Sequence, residues 1–135
     1  MKRAGFVLFI AMVVLVGLSA VANATLIYNG SFESGNNPPT TWYRALNAGS
    51  TDIDGWSISG DTTAVPVVDW IGAGYWQAAD GQMSLDLAGK DNGVVFTTTS
   101  FDTIIGQTYL LTFWMAGNPN DGDKLKKLLV NVDNG

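Results

Sequence analysis

Tyr75 and Trp76 stand side by side, with Gly72 and Gly74 before them and Gln77 and Asp80 after. Sugar recognition uses this set of groups. Flat Tyr and Trp faces meet the apolar C–H face of a pyranose, while amides and carboxylates bond its hydroxyls. Neighbours in an extended strand point to opposite faces, so one of the two rings faces outward if this segment is extended. Tyr75, Trp76, Gln77 and Asp80 are therefore the first candidate ligand site. Trp42 and Tyr43, beside Pro38, Pro39 and Arg44, are the second, and Trp70 is a further platform. The plain alternative for any large aromatic in a small chain without disulfides is the core. Trp56 and Phe113, which alternate with polar neighbours, are read that way.

Asp69, Asp80 and Asp86 lie close enough in sequence to supply a carboxylate pair for glycoside hydrolysis, a small-glycosidase reading. The rest of the composition argues against catalysis. The chain has no His and no Cys. That removes the usual general base, the Ser-His-Asp and Cys-His arrangements, nearly all zinc sites and all thiol chemistry. Asp in Gly- and Asn-rich sequence more commonly forms turns than catalyses. The reading is a binding module and not an enzyme. Asp121-Gly122-Asp123 lacks the spaced acids and terminal Glu of a calcium-binding hand and reads as a turn. Asn29-Gly30-Ser31 fits a glycosylation sequon, which matters in a eukaryotic secretory pathway.

The elements that must position these residues begin after an export signal. Lys2 and Arg3 form a positive start, Phe6 to Leu18 carries no charge, and Ala22-Asn23-Ala24 is a small-x-small cleavage site. Residues 1–24 read as a signal peptide and 25–135 as one domain, secreted or at the cell surface; the alternative is an uncleaved membrane anchor. Loss of Lys2 and Arg3 takes the formal net charge from −5 to −7. An acidic chain without a basic stripe is a poor partner for nucleic acid or anionic lipid, and no membrane span is expected after cleavage.

The domain reads as short apolar or alternating runs cut by Gly, Asn, Asp and Pro. The expected strands are Leu26–Tyr28, Asp52–Ile58, Val65–Ile71, Met83–Leu87, Val94–Phe101, Thr108–Met115 and Lys126–Val132. In Thr108–Met115, residues Tyr109, Leu111, Phe113 and Met115 share a face. No convincing 3.6-residue stripe follows residue 24. Short strands with polar turns predict an all-β, antiparallel β-sandwich of jelly-roll type. The hairpin signal Asp133-Asn134-Gly135 follows a terminal strand, so the sandwich reads as lacking its closing strands.

Asn29-Gly30-Ser31-Phe32-Glu33 resembles the opening strand of galactose-binding-like β-sandwiches, which include many carbohydrate-binding modules. Four further blocks resemble the bacterial exported choice-of-anchor C family. They are Ala48–Thr51 with Ile53, Gly55 and Trp56; Val68–Gly72; Tyr75–Gly81; and Ser84–Gly89. Thr108-Tyr109, Leu111–Phe113 and Ala116–Pro119 continue the likeness across about residues 26–132. That family is similar in turn to a plant cell-wall domain of unknown function. The resemblance implies a secreted or surface-attached sandwich with polysaccharide as its partner. It also implies a structural calcium ion, with Glu33, the sole Glu, as a ligand and Asp86 as its partner. A solvated or turn-bonded Glu33 is the alternative. A structural surface or matrix protein making protein contacts, with no sugar ligand, is the second functional reading.

Overall fold

A computed structural model describes residues 27–120 and 125–133, together with the backbone of residues 6–12. The cleavage motif Ala22–Ala24, Leu26 and the Asp121–Asp123 turn lie outside the described residues. Seven strands occur among the described residues: β1 (Phe6–Met12), β2 (Tyr43–Leu46), β3 (Trp56–Gly60), β4 (Val68–Gly72), β5 (Met83–Asp86), β6 (Gly93–Thr97) and β7 (Leu111–Gly117). All pairings are antiparallel. One sheet has the order β2-β4-β5-β1-β7 and the other pairs β3 with β6. No helix occurs among the described residues, so the all-β, antiparallel expectation holds. Among the described residues the seven strands lie in a five-plus-two arrangement, which does not by itself establish jelly-roll order.

Period-two patterning places the core between the sheets. Val68 and Trp70 of β4 and Met83 and Leu85 of β5 face Trp56 and Ile58 of β3, with Phe32, Leu46, Ile53, Val67 and Leu87 filling the layer. Each large side chain buried this way contributes about 1.5–3 kcal/mol. Two indoles also bond deep in this layer. Trp70 Nε1 donates to the Phe32 carbonyl at 3.0 Å and Trp56 Nε1 to the Asn29 carbonyl at 2.9 Å. Phe32 itself sits at a φ of 62°, unusual for a bulky residue, and its fully buried ring packs 5.0 Å from Trp56. Core packing holds that backbone where local preference would not.

Several sequence expectations are corrected. Ile27 and Tyr28 enter a turn, not a strand. Residues 29–33 form a loop organised by the Asn29 side chain, whose amide donates to the Ser34 and Asp54 carbonyls at 2.9 Å each. The local Asn bonds replace a strand ladder. Lys126–Val132 contains no strand in its described residues 126–132. Phe113 is 36% exposed and Met115 51%, so the face assigned to them is not core. The polar face of β5 is buried too: Ser84 is 0% and Asp86 4% exposed. β2 was not legible, since Tyr43–Leu46 follows Trp42, contains Arg44 and shows no clean alternation. β1 lies within the segment read as a signal peptide, and pairs along its whole length with β7 and at Val7 and Leu8 with β5.

Candidate functional site

The site grows from the turn that ends β4. Gly72 donates its N–H to the Trp42 carbonyl at 2.8 Å, and its own carbonyl accepts from Tyr75 N at 2.9 Å and Trp76 N at 3.4 Å. A Cβ on Gly74 would lie 2.6 Å from Thr41 Cα, so only glycine lets this turn close against the strand-entry loop. The segment is a turn, not a strand, and Tyr75 and Trp76 come to one region instead of opposite faces. Their centroids are 5.1 Å apart. Tyr75 lies 4.7 Å from Trp42, edge-on, and 5.3 Å from Tyr43. Trp42 stacks on Tyr43 at 5.9 Å. The two aromatic pairs, read as separate candidates, form one four-ring cluster.

Beside the rings is a cavity of about 200 Å³. Tyr43, Tyr75 and Trp76 form one wall, Asp69, Ile71 and Asp86 the floor, and Asn118 and Asn120 the far wall. Strand register explains the floor: Asp69 of β4 is the cross-strand partner of Asp86 of β5, and Ile71 that of Tyr43. The volume is below the roughly 300–1,000 Å³ of sites that engulf a whole ligand. It suits one unit of a chain lying across an open surface.

The electrostatics of the floor are distinctive. Asp86 Oδ1 accepts from Ala88 N at 3.0 Å, and its Oδ2 accepts from Asn118 Nδ2 at 3.2 Å. Burial, and then the charge of Asp86, push the Asp69 carboxyl from 3.8 up to about 6, while Lys90 pulls the other way. Arg44, one residue from Tyr43, is committed elsewhere. It pairs with Asp52 at 2.7 Å and also donates to the Asn36 carbonyl. Hydrogen bonds from Asn36 and then Ser50 hold the Asp52 carboxyl below its ordinary value against desolvation, and Arg44 adds to them.

Not all the expected residues reach this place. Trp70 is fully buried in the core and can be no platform. Its alternation with Asp69 and Ile71 put it on the inward face. Gln77 and Asp80 are exposed and do not line the cavity. Glu33 Oε1 accepts from both Gln82 N and Met83 N at 2.8 Å, tying the opening loop to the start of β5. Gly81, at φ +66°, makes room for it: a Cβ there would lie 2.3 Å from that oxygen. Glu33 is thus bonded to backbone N–H groups and Asp86 to Ala88 N and Asn118, and a calcium ion at either would compete with these bonds. Among the described residues no group of three or more acidic side chains is placed to hold a metal. Sequence reasoning assigned no role to Asn118 or Asn120, whose only signal was an Asn-Pro turn after an apolar run.

Fold and site together define a small antiparallel β-sandwich with an aromatic and carboxylate pocket on its larger sheet. The DUF642 profile, described as a protein of unknown function, matches residues 25–135. The chain belongs to the DUF642 family, the plant cell-wall-associated domain that the resemblance pointed to in turn. It is also similar to halomucin of Haloquadratum walsbyi, 33% identical over 115 residues that cover 83% of this chain. The chain spans 1% of the length of that relative. No solved structure matches it.

Proposed function

We propose that this chain is an exported, non-catalytic module that binds polysaccharide at a cell surface or in an extracellular matrix. The observation that carries the reading is the convergence of Trp42, Tyr43, Tyr75 and Trp76 beside a cavity floored by Asp69 and Asp86. Rings supply the apolar platform, and the carboxylates with Asn118 and Asn120 supply acceptors and donors for hydroxyls. Export rests on the sequence pattern of residues 1–24, of which residues 6–12 pair as β1 in this structure.

Hydrolysis is disfavoured by placement. Asp69 and Asp86 lie side by side on adjacent strands of one floor, whereas the carboxylates of glycosidases flank the scissile bond. A second reading, protein contacts without a sugar, draws on different residues: Val94, Phe96, Trp114 and Met115 are 48–62% exposed on β6 and β7.

Affinity electrophoresis of the full chain in gels carrying different soluble polysaccharides tests the proposal, with circular dichroism as the control for folding. Retardation by a glycan that is lost in Trp76→Ala supports it. A folded chain that no glycan retards leaves the protein-contact reading as the better one.

A further inference from the structure

We propose that the pocket selects a cationic sugar, a glycan unit bearing a free, protonated amine, over neutral or acidic ones. The inference rests on the carbohydrate reading above and narrows its substrate class.

Three features of the site point to a cation. Asp69 and Asp86 are direct cross-strand partners on the cavity floor, and like charges so placed repel one another. Asp86 is partnered by Ala88 N and Asn118, but among the described residues no hydrogen-bond donor reaches Asp69. Among the described bases, Lys90 pulls the Asp69 carboxyl the other way, and Arg44 is held by Asp52.

The wall above that floor is aromatic. Tyr43, Tyr75 and Trp76 present π-systems, whose negative faces attract an ammonium and gain more from it when water is excluded. An acidic floor under aromatic walls is the arrangement that ammonium recognition uses. A neutral hydroxyl would leave the carboxylate repulsion in place, whereas an ammonium brings a positive charge and three donors to it. Uronic or sulfated units would add to the repulsion.

The third feature lies beneath. Ser84 is fully buried, and its Oγ has no hydrogen-bond partner. Strand alternation turns it to the same face of β5 as Asp86, and its cross-strand partner is Ile71 of the cavity floor. Buried hydroxyls are ordinarily satisfied. The hydroxyl does not line the cavity, but its lack of a partner shows that the strand face bearing the carboxylates is not closed by the protein's own hydrogen bonds.

The test is calorimetric titration of the full chain at about pH 6.5, where Asp69 is mostly ionised and an amine is still protonated. The probes are a glucosamine oligomer, the N-acetylated oligomer of the same length and a neutral glucose oligomer. The amine oligomer is expected to bind at least tenfold more tightly than either of the others. Asp69→Asn should erase that preference, so that within the variant the amine oligomer binds no more tightly than the neutral one, and Asp86→Asn should weaken the preference. Asp61→Asn, in an exposed loop, should retain it, which separates the pocket from the general acidity of the chain. Equal affinity for all three probes overturns the cationic assignment but leaves carbohydrate binding standing. Failure of every oligomer to bind a folded chain overturns both. Tighter binding of an oligolysine peptide, lost in Asp69→Asn, overturns the sugar assignment in favour of a protein amine.

Discussion

Replacing Asp69 with Asn should stabilise the chain at neutral pH and do nothing at acid pH. The carboxyl loses water beneath the ring-bearing turn and faces Asp86, which together raise it from 3.8 to about 6. A raised carboxyl holds its proton more tightly in the folded chain than in the unfolded one. Between about pH 4 and 6 the folded state therefore binds more protons, and stability falls as pH rises through that window. Below about pH 4 both states are protonated and the effect vanishes; above about 6 its full cost is present. A shift of about two units is worth roughly 3 kcal/mol at 1.36 kcal/mol per unit. Asp69 is only part-buried, so solvent screening reduces the expectation to about 1–2 kcal/mol. Asp52, held below its ordinary value, contributes stability above the unfolded pKa that is lost as pH falls below it. That contribution is common to both proteins and cancels in the comparison. The assay is urea denaturation of wild type and Asp69→Asn from about pH 4 to 7, read by circular dichroism. The stability gap should open from near zero to about 1–2 kcal/mol, with the slope against urea unchanged. A constant gap across that range, or a variant less stable at pH 7, would refute the reasoning.

Other changes probe the scaffold. Glu33→Ala should cost about 2 kcal/mol in urea denaturation, because two backbone N–H groups lose a charged acceptor, and Glu33→Gln about half that. Chelator should leave the wild-type midpoint unchanged; a drop specific to the wild type would restore calcium at Glu33. Trp70→Ala should cost about 3–5 kcal/mol as a core cavity. Trp70→Phe should cost about 1–3 kcal/mol by leaving the Phe32 carbonyl unsatisfied, both read from the denaturation midpoint. Gly81→Ala should lower the melting temperature, since the left-handed backbone and the crowding of Glu33 both oppose a Cβ.

The parts of the fold set by local periodicity were legible. Met83–Asp86 and Val68–Gly72 alternate apolar and polar residues, and both form strands whose apolar members fill the core. What sequence missed depended on partners far along the chain. Tyr75 and Trp76 were read as a candidate site, yet their turn and their contact with Trp42 and Tyr43 involve a backbone bond between Gly72 and Trp42, thirty residues apart. Trp70 looked like a platform by type alone. Its neighbours Asp69 and Ile71 already predicted the opposite face, since alternation outranks aromatic character in a strand. Asp69, Asp80 and Asp86 were read together as able to supply a carboxylate pair, and only strand register shows that Asp69 and Asp86 are the two that meet. Asn118 entered the site through a strand-end turn that carries no functional pattern of its own. The Lys126–Val132 run forms no strand among the described residues, although its composition reads as one.

The most direct test of the central claim uses the indole N–H signals of the five tryptophans in a proton–nitrogen correlation spectrum. A glycan that retards the chain is titrated in, and the signals are followed one by one. Trp76, on the cavity wall, should shift most and Trp42, stacked in the same cluster, should follow. Trp56 and Trp70, bonded inside the core, and Trp114, on β7, should stay in place. Binding that moves Trp114 while Trp76 and Trp42 remain still would contradict the account and move the ligand site to the β7 surface.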